Sequence, residues 1–241
     1  MITPVKHINP DNFETVYIRL RKWERRMYSD GEVAQLPVVA SAHPYYKEWQ
    51  LRKESSKKLI DYLKKRVLPT NILEVGCGNG WLSAKLAGIK RSHVVGIDIN
   101  NEELEQAKRV FSHMSNLRFY YSNMDELENE MKFDVIIFAA AIQYFNSLKN
   151  IITNSLMHLN KYGEIHIIDS PFYTLSQLAA AKQRTILYYQ AAGFPEMADK
   201  YFHHNLDDLE NYNCSIYYDP NSLFNKFLRN KNPFYWISIK P

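Results

Sequence analysis

Short apolar runs of strand length alternate with amphipathic stretches of helical period through the middle of the chain. Residues 71–75 form an apolar run that ends in glycines. Residues 81–86 follow with apolar side chains at Trp81, Leu82 and Leu86, and Ala87 beside them, which reads as a helix. Residues 93–98 are a second strand. Residues 102–111 are a second helix, with Asn100 or Asn101 as N-cap and acids filling its first turn. Residues 117–121 are a third strand, and residues 133–138 a fourth that is too apolar for a sheet edge. A helix over 148–159 and a fifth strand over 163–169 complete the series. Strand and helix in this alternation predict an α/β fold, a doubly wound and mostly parallel sheet with helices on both faces.

The two ends depart from the pattern. Residues 212–218 and 234–239 are strand-like and rich in Tyr, Ile and Trp, with Pro220, Pro233 and room for a short helical turn at 222–228 between them. So short a connection predicts an antiparallel pair, giving seven strands with an antiparallel last one. Residues 1–46 hold Pro4, Pro10, Pro37 and Pro44 and show little sustained periodicity; a charged helix over 48–66 leads from them into the first strand. A helical insert covers 175–203. The expected organisation is one domain: an N-terminal cover at 1–46, a ligand-binding core at 47–170, a helical insert at 171–211 and the last two strands at 212–241. Both covers should lie over the carboxyl edge of the sheet, where open α/β sheets bind ligands.

Composition narrows the class. Of 241 residues, 46% are apolar and 23% charged, as in globular domains, and the net charge of +4 does not argue for nucleic acid. Two cysteines are too few for a disulfide framework, the start from Met1 to His7 lacks the apolar core of a signal peptide, and the longest uncharged apolar stretch, 135–142, is far short of a membrane span. A soluble cytoplasmic protein with no membrane partner is expected. Aromatic residues reach 14%, with 17 Tyr, enough to line an organic pocket as well as fill a core.

The chemistry concentrates where the first strand meets its helix, at Glu74-Val75-Gly76-Cys77-Gly78-Asn79-Gly80. Glycines there let the backbone approach a ligand and take positive φ. Asp98 ends the next strand, as an acid that binds ribose hydroxyls does. A nicotinamide or flavin dinucleotide fits poorly: the third glycine is one residue early, and Glu74 is wrong for a pyrophosphate but right for an ammonium.

With these residues, together with Gly96-Ile97-Asp98-Ile99-Asn100, the fourth-strand stretch from Phe133 to Phe145 and the turn from Leu159 to Ile165, the sequence resembles the Rossmann-like S-adenosylmethionine-dependent methyltransferases of the type 11 group over about residues 50–170. The resemblance implies S-adenosylmethionine as cofactor. It implies that Glu74 faces the methionine ammonium, that Gly76, Cys77, Gly78 and Gly80 cradle the methionine half, and that Asp98 takes the ribose hydroxyls. Ile99 would pack on the adenine, Asn123 and Met124 flank it, and Ala139 and Ala140 border the sulfonium. Tyr144 stands where many relatives carry His, and Asn123 where many carry Asp.

No residue is assigned a catalytic role; Tyr144, His43 and Asp169 are candidates for a general base by position. His43-Pro44-Tyr45-Tyr46 is expected to close over the cofactor as part of an N-terminal lid. Arg52 reads as a solvated helix residue, as does the basic run from Arg19 to Arg26. No His/Cys cluster has the spacing of a metal site, and Cys77 and Cys214 are not placed as nucleophiles. The expected activity is methyl transfer to a small or medium organic acceptor. A protein or RNA acceptor and a non-catalytic cofactor-binding module are the alternatives, nucleic acid being disfavoured by the scarcity of basic-aromatic platforms.

Overall fold

A computed structural model of the protein describes residues 13–226 and 231–241. The chain is built on a seven-stranded sheet in the order β3-β2-β1-β4-β5-β9-β8. Its strands are β1 (Thr70–Val75), β2 (Ser92–Asp98), β3 (Leu117–Tyr121), β4 (Phe133–Ala139), β5 (Leu159–Ile168), β8 (Asn213–Tyr218) and β9 (Trp236–Lys240). The first five pair in parallel, and β9 runs antiparallel to both β5 and β8. The expected α/β architecture and antiparallel end are therefore present. The central position of β4 follows from its sequence: Val135, Ile136, Ile137 and Phe138 are completely buried, which only a strand covered on both faces tolerates.

Alternation along the strands feeds two cores. Ile72, Val94 and Ile137 face α3 (Tyr46–Leu63), α4 (Trp81–Ala87) and α5 (Asn101–Val110), while Leu73, Ile97 and Ile136 face α6 (Leu148–Met157). Asn100 caps α5 by accepting from the Glu103 N–H. The expected helix over 148–159 ends earlier, because Leu159 leaves it to pair with Phe133 as the first residue of β5. That strand thus starts before residue 163, and the register shift between Phe133 and Val135 absorbs the turn-like segment through Tyr162 and Gly163.

The covers are more ordered than the sequence predicts. Residues 13–46 hold two helices, α1 (Phe13–Trp23) and α2 (Asp30–Gln35), the second with a Ser29–Glu32 capping box. In the insert, β6 (Phe172–Tyr173) pairs with β7 (His204–Asn205), which brings together the two ends of a segment that holds α7 (Leu175–Ala192) and the turn Pro195–Lys200. Val16 and Leu20 of α1 pack with Tyr189, Phe194 and Met197 in a small third core. α8 (Leu223–Lys226) supplies the helical turn before β9. Met1 to His7, Pro4, Pro10 and the end of the expected 222–228 turn lie outside the described residues. No helix among the described residues is long and apolar enough to cross a membrane.

Candidate active site

The glycine turn leaves β1 with Gly76, Gly78 and Gly80 all at positive φ. The N–H groups of Gly76 and Cys77 donate to the carbonyl of Ile97 at 2.9 and 3.1 Å, which ties the turn to the end of β2. Asp98 is fixed there from both sides: Gly78 N–H donates to Oδ2 at 2.7 Å and Asn100 N–H to Oδ1 at 2.8 Å. A side chain at Gly76 would stand 2.7 Å from the Ala141 Cβ, so the turn and the end of β4 are in contact.

Two cavities meet at this turn and share Gly76, Gly78, Ala140 and Tyr144 in their walls. The smaller, about 490 Å³, is largely apolar and holds Asp98, Ile99 and Asn123 with Tyr121 and Phe145. The larger, about 590 Å³, holds Glu74, Cys77 and Ala139 with Glu103, Gln143 and Asp169. α1 closes both, because Tyr17 lines each of them.

Ten of the twelve residues named from sequence therefore border the paired cavities; Gly80 and Met124 border neither. A Cβ at Gly80 would lie 2.4 Å from Phe119 Cζ and 2.9 Å from Ala107 Cβ, so this glycine serves helix-to-strand packing. Met124 is 2% exposed and belongs to the core against α6. Asn123 caps the short turn Met124–Glu126, its side-chain oxygen accepting from Asp125 N–H at 2.9 Å.

Three further expectations are corrected. His43, Tyr45 and Tyr46 line neither cavity; the Tyr45 hydroxyl donates to the Glu24 carbonyl at 2.5 Å and its ring lies 3.7 Å beneath the Arg26 guanidinium. Arg52 is not a solvated helix residue, since it pairs with Glu48 at 3.0 Å on the wall of the larger cavity. The basic run from Arg19 to Arg26 divides: Lys22 is exposed, while Arg21 and Arg26 turn into the same wall.

Electrostatically the turn gathers carboxyl groups. Burial pushes Glu74 up to about 8, against the lowering effect of its hydrogen bonds from Ser83. Burial also pushes Glu103 up to about 7 against the opposing pull of Arg21, whose guanidinium stands 3.9 Å away. Asp98 is raised by burial too, and the backbone N–H groups it accepts from restrain the shift. Tyr144 is raised by burial, with Arg21 pulling the other way. Carboxyl groups so placed favour a ligand that brings positive charge.

Sequence reading did not single out Tyr17, Glu103 or Gln143, and took Arg21 only as part of a solvated basic run. Glu103 carried a signal, an acid three residues after the N-cap Asn100, which donates to it through Nδ2 at 2.8 Å. Gln143 stood inside the quoted fourth-strand stretch.

Comparison with known proteins agrees with this geometry. A family model described as a methyltransferase domain matches residues 69–224, well over half of the chain. The chain belongs to this methyltransferase-domain family. The resemblance to Rossmann-like S-adenosylmethionine-dependent methyltransferases is borne out. A malonyl-[acyl-carrier protein] O-methyltransferase of Bacillus cereus is 28% identical over 148 residues, 60% of this chain and 55% of that protein. The chain thus spans about half the length of the curated relatives it matches. A geranyl diphosphate C-methyltransferase of Streptomyces coelicolor A3(2), solved with S-adenosyl-L-homocysteine, has a TM-score of 0.59 at 14% identity, covering 95% of this chain and 98% of that one. A plantazolicin methyltransferase complex gives 0.57 at 14%, covering 94% and 96%. Likeness at that identity is likeness of fold.

Proposed function

We propose that this methyltransferase uses S-adenosylmethionine to methylate a small or medium-sized organic acceptor. The observation that supports it is the pair of joined cavities, an apolar one against Asp98 and a polar one against Glu74, meeting at the glycine turn and Ala140. The residues present fit the cofactor. Asp98 is held rigid by backbone donors yet keeps lone pairs for ribose hydroxyls, Ile99 and Asn123 stand where the apolar cavity suits an adenine, and buried Glu74 gains from an ammonium. When bound, S-adenosylmethionine supplies an electrophilic methyl group on a sulfonium. The chain's own part is to align and dehydrate: Ala140, with positive φ, presents backbone at the junction of the cavities, and Tyr17 with Tyr144 walls that junction from water.

The larger cavity has the volume of a small-molecule pocket and is roofed by α1 and α7. This favours an enclosed organic acceptor over a protein or RNA strand. Incubating the purified protein with methyl-tritiated S-adenosylmethionine and fractionated cell extract tests it. Label is expected in the small-molecule fraction; label confined to protein or nucleic acid contradicts the reading.

A further inference from the structure

Buried polar atoms without partners are rare in a folded chain, and each asks for an explanation. Among the described residues five side-chain atoms are in that state, and three belong to residues lining the larger cavity: Asp169 Oδ1, Gln143 Oε1 and Arg21 Nε. Asp169 and Gln143 are each only 6% exposed. The Arg21 nitrogen belongs to the guanidinium already placed beside Glu103. The other two atoms can only accept hydrogen bonds while Asp169 is ionised.

The sheet brings them together. Ala139 pairs with Ile168 across β4 and β5, and Ala140 N–H donates to the Ile168 carbonyl at 3.0 Å, so Asp169 follows directly beside Ala140. Gln143 Nε2 donates to the Ala140 carbonyl at 2.6 Å, which fixes the amide and directs Oε1 away from that bond. Ala140 and Asp169 both have positive φ, at 54° and 53°. Two strained non-glycine residues at neighbouring strand ends are typical of a working site. Since β4 separates β1 from β5, Asp169 stands on the far side of Ala140 from the glycine turn, where an acceptor rather than the cofactor would lie.

The other wall is aromatic. Tyr144 meets Tyr17 edge-on at 5.6 Å and Tyr201 at 5.9 Å, and Tyr201 lies 6.2 Å from Tyr189. All four line the same cavity. Such rings attract a cation through their faces.

From these features we infer that the acceptor is an amine, held by Asp169 and Gln143 against the tyrosine wall, and that Asp169 Oδ1 takes the proton its ammonium must lose. In that step the N–H bond breaks, its electrons stay on nitrogen as the lone pair, and an O–H bond forms on Asp169. The inference rests on the methyltransferase reading and adds the acceptor class. Ser55 Oγ donates to Oδ2 at 2.8 Å and the Asn232 side chain also hydrogen-bonds to this carboxyl, while Oδ1 is the oxygen that meets no partner at hydrogen-bond distance. The charged and polar groups that act on Asp169 are Arg52, Ser55, Asn232 and Glu48, and burial raises its pKa above the ordinary range, toward a useful base. Arg26 and Arg52 do not oppose an ammonium strongly, since two carboxylates, Glu24 and Glu48, pair with them. A carboxylate acceptor, by contrast, would face two acceptor-only oxygens.

The test uses three matched probes, phenethylamine, 2-phenylethanol and 3-phenylpropionate, titrated calorimetrically into protein saturated with S-adenosylhomocysteine. Phenethylamine is expected to bind at least about tenfold tighter than the other two, and Asp169→Asn to erase that preference while leaving the affinity for S-adenosylhomocysteine unchanged. With methyl-tritiated S-adenosylmethionine, label should enter the amine alone. A preference for the alcohol or the acid overturns the inference, as does failure of all three to bind. Amine binding that survives Asp169→Asn also overturns it, and would place Oδ1 toward the space of about 20 Å³ shared with Ser55 and Asn232. If S-adenosylhomocysteine itself does not bind, the methyltransferase reading fails instead.

Discussion

Glu74 on β1 is held by one residue, Ser83, through its hydroxyl and its backbone, whereas the two oxygens of Asp98 accept backbone N–H groups from Gly78 and Asn100. The first carboxyl is adjustable and the second is fixed. Because burial raises Glu74 from 4.5 to about 8, the folded protein keeps a proton that the unfolded chain releases. Its contribution to stability is therefore full below about pH 4.5 and fades as pH rises through about 8. Thermal melts of Glu74→Gln should gain on the wild type as pH rises across that window; parallel curves would mean that the carboxyl does not titrate there. For ligand affinity the order reverses: Asp98→Ala should weaken S-adenosylhomocysteine binding by about tenfold or more, and Glu74→Gln by less, since Gln keeps the shape and an acceptor. Gly80→Ala separates packing from binding. Its Cβ would strike Phe119 and Ala107, so a loss of about 1–3 kcal/mol in stability is expected, with ligand affinity kept in the folded fraction. A stable Gly80→Ala protein that no longer binds would return this glycine to the site. Glu74, Gly76 and Asp98 were readable because they sit at fixed offsets from strand ends. Asp169 was readable only by position, because what distinguishes it, an oxygen left unpaired by distant Ser55, is tertiary.

α2 escaped the sequence, and of α1 only the basic helical run from Arg19 was read, because the usual contrast between faces is blurred there. Only Val16 and Leu20 of α1 are buried, while Tyr17 and Arg21 turn into cavities that are neither core nor solvent. The inner strands β1 and β4 were plain by comparison, since each faces core on both sides; where β5 was misjudged, Tyr162, 82% exposed, and Gly163 mimic a turn inside a strand. These facts revise the lid expected at residues 1–46. Val33 and Leu36 are essentially unexposed and pack with α3 and α5, so removing all 46 residues should expose core and aggregate the protein. Removing residues 1–27 takes α1 but spares α2 and its capping box. That truncation is expected to melt cooperatively yet bind S-adenosylhomocysteine more weakly, having lost a wall of both cavities. Limited proteolysis checks the same point in the intact chain: cleavage near residues 24–28 should slow when ligand is added, and a rate indifferent to ligand would make α1 a fixed wall.

Chain order explains why the cavities lie where they do. From β1 the chain moves outward through β2 to β3, then returns to β4 on the other side of β1. The crevice at such a reversal is where open parallel sheets take ligands, and Asp98, Gly76, Ala140 and Asp169 end or follow four adjacent strands along it. Both covers, tied together through the α1–α7 core, then roof that edge. The reversal was legible from strand–helix alternation and the central character of β4, but the roof was not, since it depends on contacts between segments more than 150 residues apart, such as the Tyr188 hydroxyl donating to Glu24. A ligand filling both cavities should stabilise the whole fold, by about 2.7 kcal/mol at a hundredfold excess over its Kd. Calorimetric titration of S-adenosylmethionine, S-adenosylhomocysteine and NADH into the wild type and Asp98→Ala addresses the reading at its root. One site of micromolar affinity for the first two is expected, weakened in Asp98→Ala, with no heat from NADH; binding of NADH without either adenosyl sulfur compound would contradict it.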